Sequence, residues 1–429
     1  MLNPLAQELN SLLAPTTAGA LLSDLGKRIF FPKGIIAQSA EAKQRGKTAN
    51  ATIGTALLNG KPLILDAISE FAPKLSATEL VSYAPTAGNL ELRKKWKEKL
   101  VQKNPSLKNK SFSLPVVVPG LTAGISYLAD LFVDESHPLL AADPSWDNYA
   151  LIVEARRGAE LHKFSMFKDG GFDVQSLKNA LKKEAEQNGS VRVILNFPQN
   201  PSGYSPTKAE AEEIAKAIKE EAERGTKILV WNDDAYFGLN YESNIFAESL
   251  FSLLCDAHEN ILAAKIDGPT KEDFAWGFRT GFLTFGSKNM TETQYDALVK
   301  KLMGIIRSSV SCAATPSQSI MLRALDDSRL EAEKAENRAL LCARYKKVRA
   351  FVDSHKSTRL EVLPFNSGYF MSFRLNGIDA EKLRLKLLDE NGIGTIAIDE
   401  KTLRVAFSSL DEEKIDSVYD AIYKTADSF

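Results

Sequence analysis

Between residues 63 and 328, short apolar runs alternate with longer stretches whose apolar residues recur at helical spacing. The runs are PVVV (115–118), PLLAAD (138–143), VRVILNF (191–197), KILVWND (227–233), NILAAKID (260–267) and GFLTF (281–285). They have the length of strands and largely lack the alternation of a half-exposed strand, so they read as strands buried on both faces. Among the stretches between them, KAEAEEIAKAIKEEAERG (208–225) carries a helical apolar stripe and ends at Gly225, a helix stop. This alternation predicts an α/β domain over residues 63–328, a mostly parallel sheet covered by helices. Residues 1–62 read as an N-terminal helical arm leading, through a turn at Asn59 and Gly60, to a short strand and a segment of the small domain. Residues 329–429 open with a long charged helix (329–355), then give strand-like GYFMSFRL (368–375), a helix (379–390) and TLRVAFS (402–408). That order predicts a smaller α+β domain, completed by the N-terminal arm.

Charge and composition narrow the function by exclusion. The chain has 429 residues, with 54 Lys and Arg against 55 Asp and Glu, interspersed throughout. No basic stripe is present to follow a nucleic-acid backbone. No apolar run is long enough to span a bilayer, and the first basic residue, Lys27, comes too late for a signal peptide. Three cysteines without close pairwise spacing fit a reducing cytoplasm. Four scattered histidines give no metal-binding pattern, so no metal is expected. GIGTIA (392–397) has the spacing of a dinucleotide fingerprint but follows a helix instead of a strand, and reads as a helix cap. Gly46-Lys47-Thr48 ends like a phosphate loop, yet Glu41 stands where the first glycine is needed, which leaves an exposed loop.

Four segments follow strands, where open parallel sheets bind ligands. In PGLTAGISYLADLF (119–132), Gly120, Leu121 and Thr122 open an apolar helix whose N-terminus suits a phosphate; taken singly it is an ordinary strand-to-helix turn. NFPQNPSGY (196–204) is a shaped loop with two prolines and two asparagines. WNDDAYFG (231–238) ends a buried strand in Asp233 and Asp234, carboxylates that cap helices more often than they catalyse. In IDGPTKEDFAWGFRTGFLTFG (266–286), Lys271 precedes Arg279 by eight residues; a lone loop lysine is usually solvated.

In combination, NPSG (200–203), Asp233-Asp234-Ala235-Tyr236, and Lys271 with Arg279 make the chain resemble the class I aminotransferases of the aspartate-aminotransferase fold, from about Gly54 to the C-terminus. The resemblance implies pyridoxal 5'-phosphate as cofactor and a role for each position. Lys271 is the amine that condenses with the cofactor's aldehyde and later moves a proton. Asp233 pairs with the pyridine N–H, and Asn200 and Tyr236 donate to the ring's 3-oxygen. Arg279, Gly120, Leu121 and Thr122 hold the phosphate, joined by Tyr83 from a partner subunit, so a homodimer with shared sites is implied. Trp146 stacks on the ring, Arg404 clamps the substrate's α-carboxylate, and Gly54 lies at the substrate edge. Arg307 matches the residue that binds a dicarboxylate side chain, although Cys312 replaces an asparagine of that pattern. Gly268 stands where the family has a phosphate-binding serine.

The implied activity is transfer of an amino group from an L-amino acid to a 2-oxo acid by a ping-pong mechanism. A C–S lyase or other β-eliminating relative would use the same residues, and a non-catalytic effector-binding protein of the same fold is the reading from another class.

Overall fold

The structure is a computed structural model that describes residues 2–14, 22, 24–29 and 34–429. Parts of the predicted N-terminal arm therefore lie outside the described residues. Seven strands form the central sheet: β1 (Val116–Val118), β2 (Leu139–Asp143), β3 (Leu161–Ser165), β4 (Ser190–Asn196), β5 (Lys227–Asp233), β6 (Ile261–Asp267) and β7 (Gly281–Gly286). Their order is β1-β7-β6-β5-β4-β2-β3. The pairs among β6, β5, β4, β2 and β3 are parallel, and β7 is antiparallel to both β6 and β1. Every residue of β1 and β7 is buried, as the unbroken apolar runs require. Strand β3 escaped the sequence pattern because it lies at the sheet edge, where only Phe164 of its five residues is buried.

Helices cover the sheet, among them α1 (Leu121–Phe132), α2 (Val174–Asn188), α3 (Lys208–Glu223) and α4 (Glu292–Ser309). A capping box starts α3: Thr207 accepts from the Glu210 backbone while Glu210 accepts from that of Thr207. A second apolar core gathers around a four-stranded antiparallel sheet of β8 (Leu360–Val362), β9 (Met371–Leu375), β10 (Ile396–Ala397) and β11 (Thr402–Val405), in the order β8-β9-β11-β10. Ala49 and Ala51 join that core, and the segment Ala49–Asn50 pairs with Ile393–Gly394. One helix, α5 (Leu330–Ser354), serves both cores: Leu330 and Leu341 pack in the first, and Tyr345, Val348, Phe351 and Val352 in the second.

The sheet order positions the site. Asn196 and Asp233 end neighbouring strands and sit in register. Because β7 runs against β1, with Gly281 opposite Val118, the residues just before β7 lie beside those just after β1. Arg279 thereby meets Gly120, although 158 residues of sequence would separate them along an extended chain.

Candidate active site

A cavity at the C-terminal ends of the parallel strands holds about 590 Å3 of empty space, counting its open mouth. Leu121, Thr122, Trp146, Asn200, Asp233, Tyr236, Lys271 and Arg279 line it. At one end is the N-terminus of α1. Its N-cap, Gly120, offers no side chain and has φ +90°, a left-handed conformation that only glycine adopts without strain. A Cβ there would lie 2.6 Å from Nη2 of Arg279, so the guanidinium packs directly on the glycine. Arg279 has no carboxylate within 4 Å among the described residues; its Nη1 donates to the Trp276 carbonyl at 3.1 Å. Free backbone N–H groups, a hydroxyl and an uncompensated cation converge here, which is the donor set a phosphate requires. The geometry also accounts for the missing serine. A Cβ at Gly268 would come within 2.9 Å of the Thr280 carbonyl oxygen, so no side chain fits. Thr270 supplies a hydroxyl instead, buried, lining the cavity and without a hydrogen-bond partner.

At the other end Asp233 is buried, and the Tyr149 hydroxyl donates to its Oδ2 at 2.5 Å while the Ala235 N–H donates to Oδ1 at 3.2 Å. Burial raises the Asp233 carboxyl, and the Tyr149 hydrogen bond and the Lys271 charge pull it back. Asn196 donates to the Asp233 carbonyl at 2.7 Å and accepts the Asn200 N–H at 2.8 Å, tying the two loops together. Lys271 lies with its Nζ 4.7 Å from the centre of the Tyr236 ring. Burial, reinforced by Arg279 and opposed by Asp233, pushes its ammonium down to about 8. A substantial neutral fraction near pH 8 is what a nucleophilic amine needs.

Arg404 stands beside this cavity on β11. It is 2% exposed, donates to Asn200 Oδ1 at 2.8 Å and to the Thr52 carbonyl at 3.1 Å, and packs over the Phe370 ring. No carboxylate lies within 4 Å of it among the described residues, and its Nε has no partner. Burial lowers it to about 10, while Tyr236 and Asp147 support its charge. Such a cation calls for an anionic ligand. Gly54 borders the same space: a Cβ there would be 3.9 Å from both the Tyr236 hydroxyl and Phe370.

Two residues singled out in the sequence are not brought to this cavity. Tyr83 is 94% exposed. Arg307, near the end of α4, is exposed and donates to the Ser311 hydroxyl at 3.1 Å. Conversely, Tyr149, Asn196 and Thr270 were not singled out. Tyr149 follows Trp146 by three residues, a helical spacing that could have flagged it; Asn196 and Thr270 carry no local signal beyond adjacency to the motifs.

A family model described as aminotransferase class I and II matches residues 52–422. The chain belongs to this family. Among curated relatives, an aspartate aminotransferase of Sulfurisphaera tokodaii is 23% identical over 337 residues, 77% of each chain. An aminotransferase structure from Anaerococcus prevotii superposes with a TM-score of 0.84 at 23% identity, covering 95% of this chain and 99% of that one. A kynurenine aminotransferase from Pyrococcus horikoshii, solved with PMP, gives 0.79 at 17% identity over 97% and 99%. The fold is that of aspartate aminotransferase, the protein is an aminotransferase, and its cofactor is pyridoxal 5'-phosphate. The donor-lined end at Gly120 and Arg279, the buried Asp233 and the lysine of lowered basicity fit that cofactor.

Proposed function

We propose that this aminotransferase moves an amino group from an L-amino acid to a 2-oxo acid in two alternating half-reactions, with Lys271 as the cofactor-binding lysine. When bound, pyridoxal phosphate supplies an aldehyde that condenses with amines and a ring that draws electrons from the substrate's α-carbon. Lys271 holds that aldehyde at rest and afterwards carries a proton on Nζ. Asp233, whose carboxylate form the Tyr149 hydroxyl supports against burial, would pair with the ring N–H. Asn200 and Tyr236 would donate to the ring's oxygen, Trp146 would cover a ring face, and Thr122, Arg279 and the α1 N-terminus would hold the phosphate; of these, Asn200, Tyr236, Trp146, Thr122 and Arg279 line the cavity. Arg404 orients the substrate by a fork onto its α-carboxylate, with Gly54 leaving room at the edge. The observation that carries this reading is Arg404 itself, a buried guanidinium without a carboxylate partner on the rim of a cavity that also holds a lysine of lowered basicity.

Tyr83 extends into solvent beside Val81, itself 81% exposed. It serves, in this reading, the phosphate of a second copy in a homodimer; Arg307 reaches a substrate only by the same route. Among the described residues no helix is long and apolar enough to cross a membrane. Three free cysteines suit a cytoplasmic enzyme.

The test is a screen of amino acids against the absorbance of the bound cofactor, with 2-oxo acids added to reverse the change. Reversal by a keto acid supports the proposal. Release of ammonia and a keto acid without any acceptor overturns it in favour of β-elimination.

A further inference from the structure

Behind the cavity, Lys271 is followed directly by two carboxylates, the largely buried Glu272 and the fully buried Asp273, and these face three lysines from two other helices. Lys334 of α5 lies 2.8 Å from Asp273 and 3.1 Å from Glu272. Lys99, on the helix Leu90–Lys103, lies 3.5 Å from Asp273, and Lys103 on the same helix pairs with Glu272. Glu331, on the exposed rim, completes the cluster at 3.2 Å from Lys99. Taking so many charges out of water is costly, and a core of apolar residues would fill the space at less expense. Their placement therefore calls for a reason.

The backbone that carries Lys271 supplies one. The helix Pro269–Glu272 has four residues, too few to hold its shape alone. The turn after it forces Phe274 and Arg279 to φ +53° and +50°, a strained conformation for residues with side chains. External anchors must hold this segment, and the anchors present are Glu272 and Asp273 on one side and the Tyr369 hydroxyl, which donates to the Lys271 carbonyl at 3.2 Å, on the other. The charges also matter at Lys271. Its amine responds chiefly to burial, then to Asp233 and Arg279. Three lysines act on those carboxylates, and Lys265, itself paired with Asp234 and Asp267, interacts with Glu272 as well.

We propose that Lys334, Lys103 and Lys99, paired with Glu272 and Asp273, are positioning residues that fix the Lys271 segment and neutralise the two carboxylates behind it. This rests on the reading of Lys271 as the cofactor-binding lysine. Lys334 links that lysine to α5, whose far half builds the core that carries Arg404, so the amine and the carboxylate clamp share one rigid element.

The experiment titrates the absorbance of the bound cofactor in the holoenzyme and follows its pH midpoint, with thermal stability measured alongside. Lys334→Met removes a cation and should raise the midpoint by at least about half a unit, roughly a threefold change in proton affinity. Glu272→Gln removes an anion and should lower it, and the double variant should return towards the wild-type value. Lys334→Arg keeps the charge and should keep the midpoint. The proposal is overturned if Lys334→Met and Glu272→Gln change only thermal stability, if both midpoints move in one direction, or if Lys334→Arg shifts as far as Lys334→Met. Should Lys334→Met fail to fold, the sign of the Glu272→Gln shift alone decides. Borohydride reduction and peptide mapping of the wild type separate the two readings: a label away from Lys271 removes the assignment of the lysine, whereas a label on Lys271 with unmoved midpoints removes only the charge balance.

Discussion

At the scale of single residues, the site works by leaving chosen charges underpaired. Asp233 is poised between burial, which favours its neutral form, and the Tyr149 hydroxyl, which favours the carboxylate. Tyr149→Phe should therefore slow turnover about tenfold, the worth of one hydrogen bond to a charged group, while leaving cofactor affinity within a few-fold. Stopped-flow measurement of the first half-reaction checks this; an unchanged rate would show that Asp233 does not depend on Tyr149. Lys271 gives a stability prediction. Its amine binds a proton at about 8 in the folded protein and near 10.5 in an unfolded chain. Its contribution is therefore most favourable above pH 10 and falls as pH drops to about 8, by at most about 3 kcal/mol. Denaturant melts of the cofactor-free protein should show this slope, and Lys271→Met should flatten it.

At the scale of elements, loops after strands meet across the two cores. The Asn200 loop turns at Gly203, where φ is +79° and a Cβ would lie 1.9 Å from the Phe370 carbonyl oxygen. Asn366 and Ser367 both donate backbone N–H groups to the Gly203 carbonyl, at 2.9 Å each. Only glycine allows that approach, so Gly203→Ala should separate the loop from β9 and cost several kcal/mol, on the order of 3. Calorimetry would register the loss; a melting temperature within a degree of wild type would contradict this packing. Such a contact is invisible to local pattern, because Gly203 in the sequence reads only as the last residue of a turn.

For the whole molecule, Tyr83 and Arg307, the two residues proposed to act from a second copy, are both exposed and lie outside the cavity. Mixing Tyr83→Phe subunits with Lys271→Ala subunits should produce hybrids with one intact site, since each native residue would then serve the same cavity. Cofactor affinity at that site should return to the wild-type value, against a loss of about tenfold in the Tyr83→Phe homodimer. A mixture no better than its parents would place Tyr83 outside the site. Arg307→Ala should raise KM for dicarboxylates alone, if Arg307 binds their side chains.

The sequence by itself determined the mostly parallel sheet, because buried strands are written in contiguous residues, and, through its resemblance to the family, the cavity-lining residues Thr122, Trp146, Asn200, Asp233, Tyr236, Lys271 and Arg279. Tertiary structure decided the rest. The passage from one core to the other falls between Leu341 and Tyr345, within a helix whose pattern is continuous. Tyr149 reached Asp233 across 84 residues of sequence, and the buried Thr270 hydroxyl came to line the cavity where position 268 is closed to a side chain. Glu272 and Asp273 look like solvated surface acids until Lys99, Lys103 and Lys334 are packed against them. Local sequence fixes which backbone conformations are accessible, but the partner of a buried charge is chosen by the fold that removes water from around it.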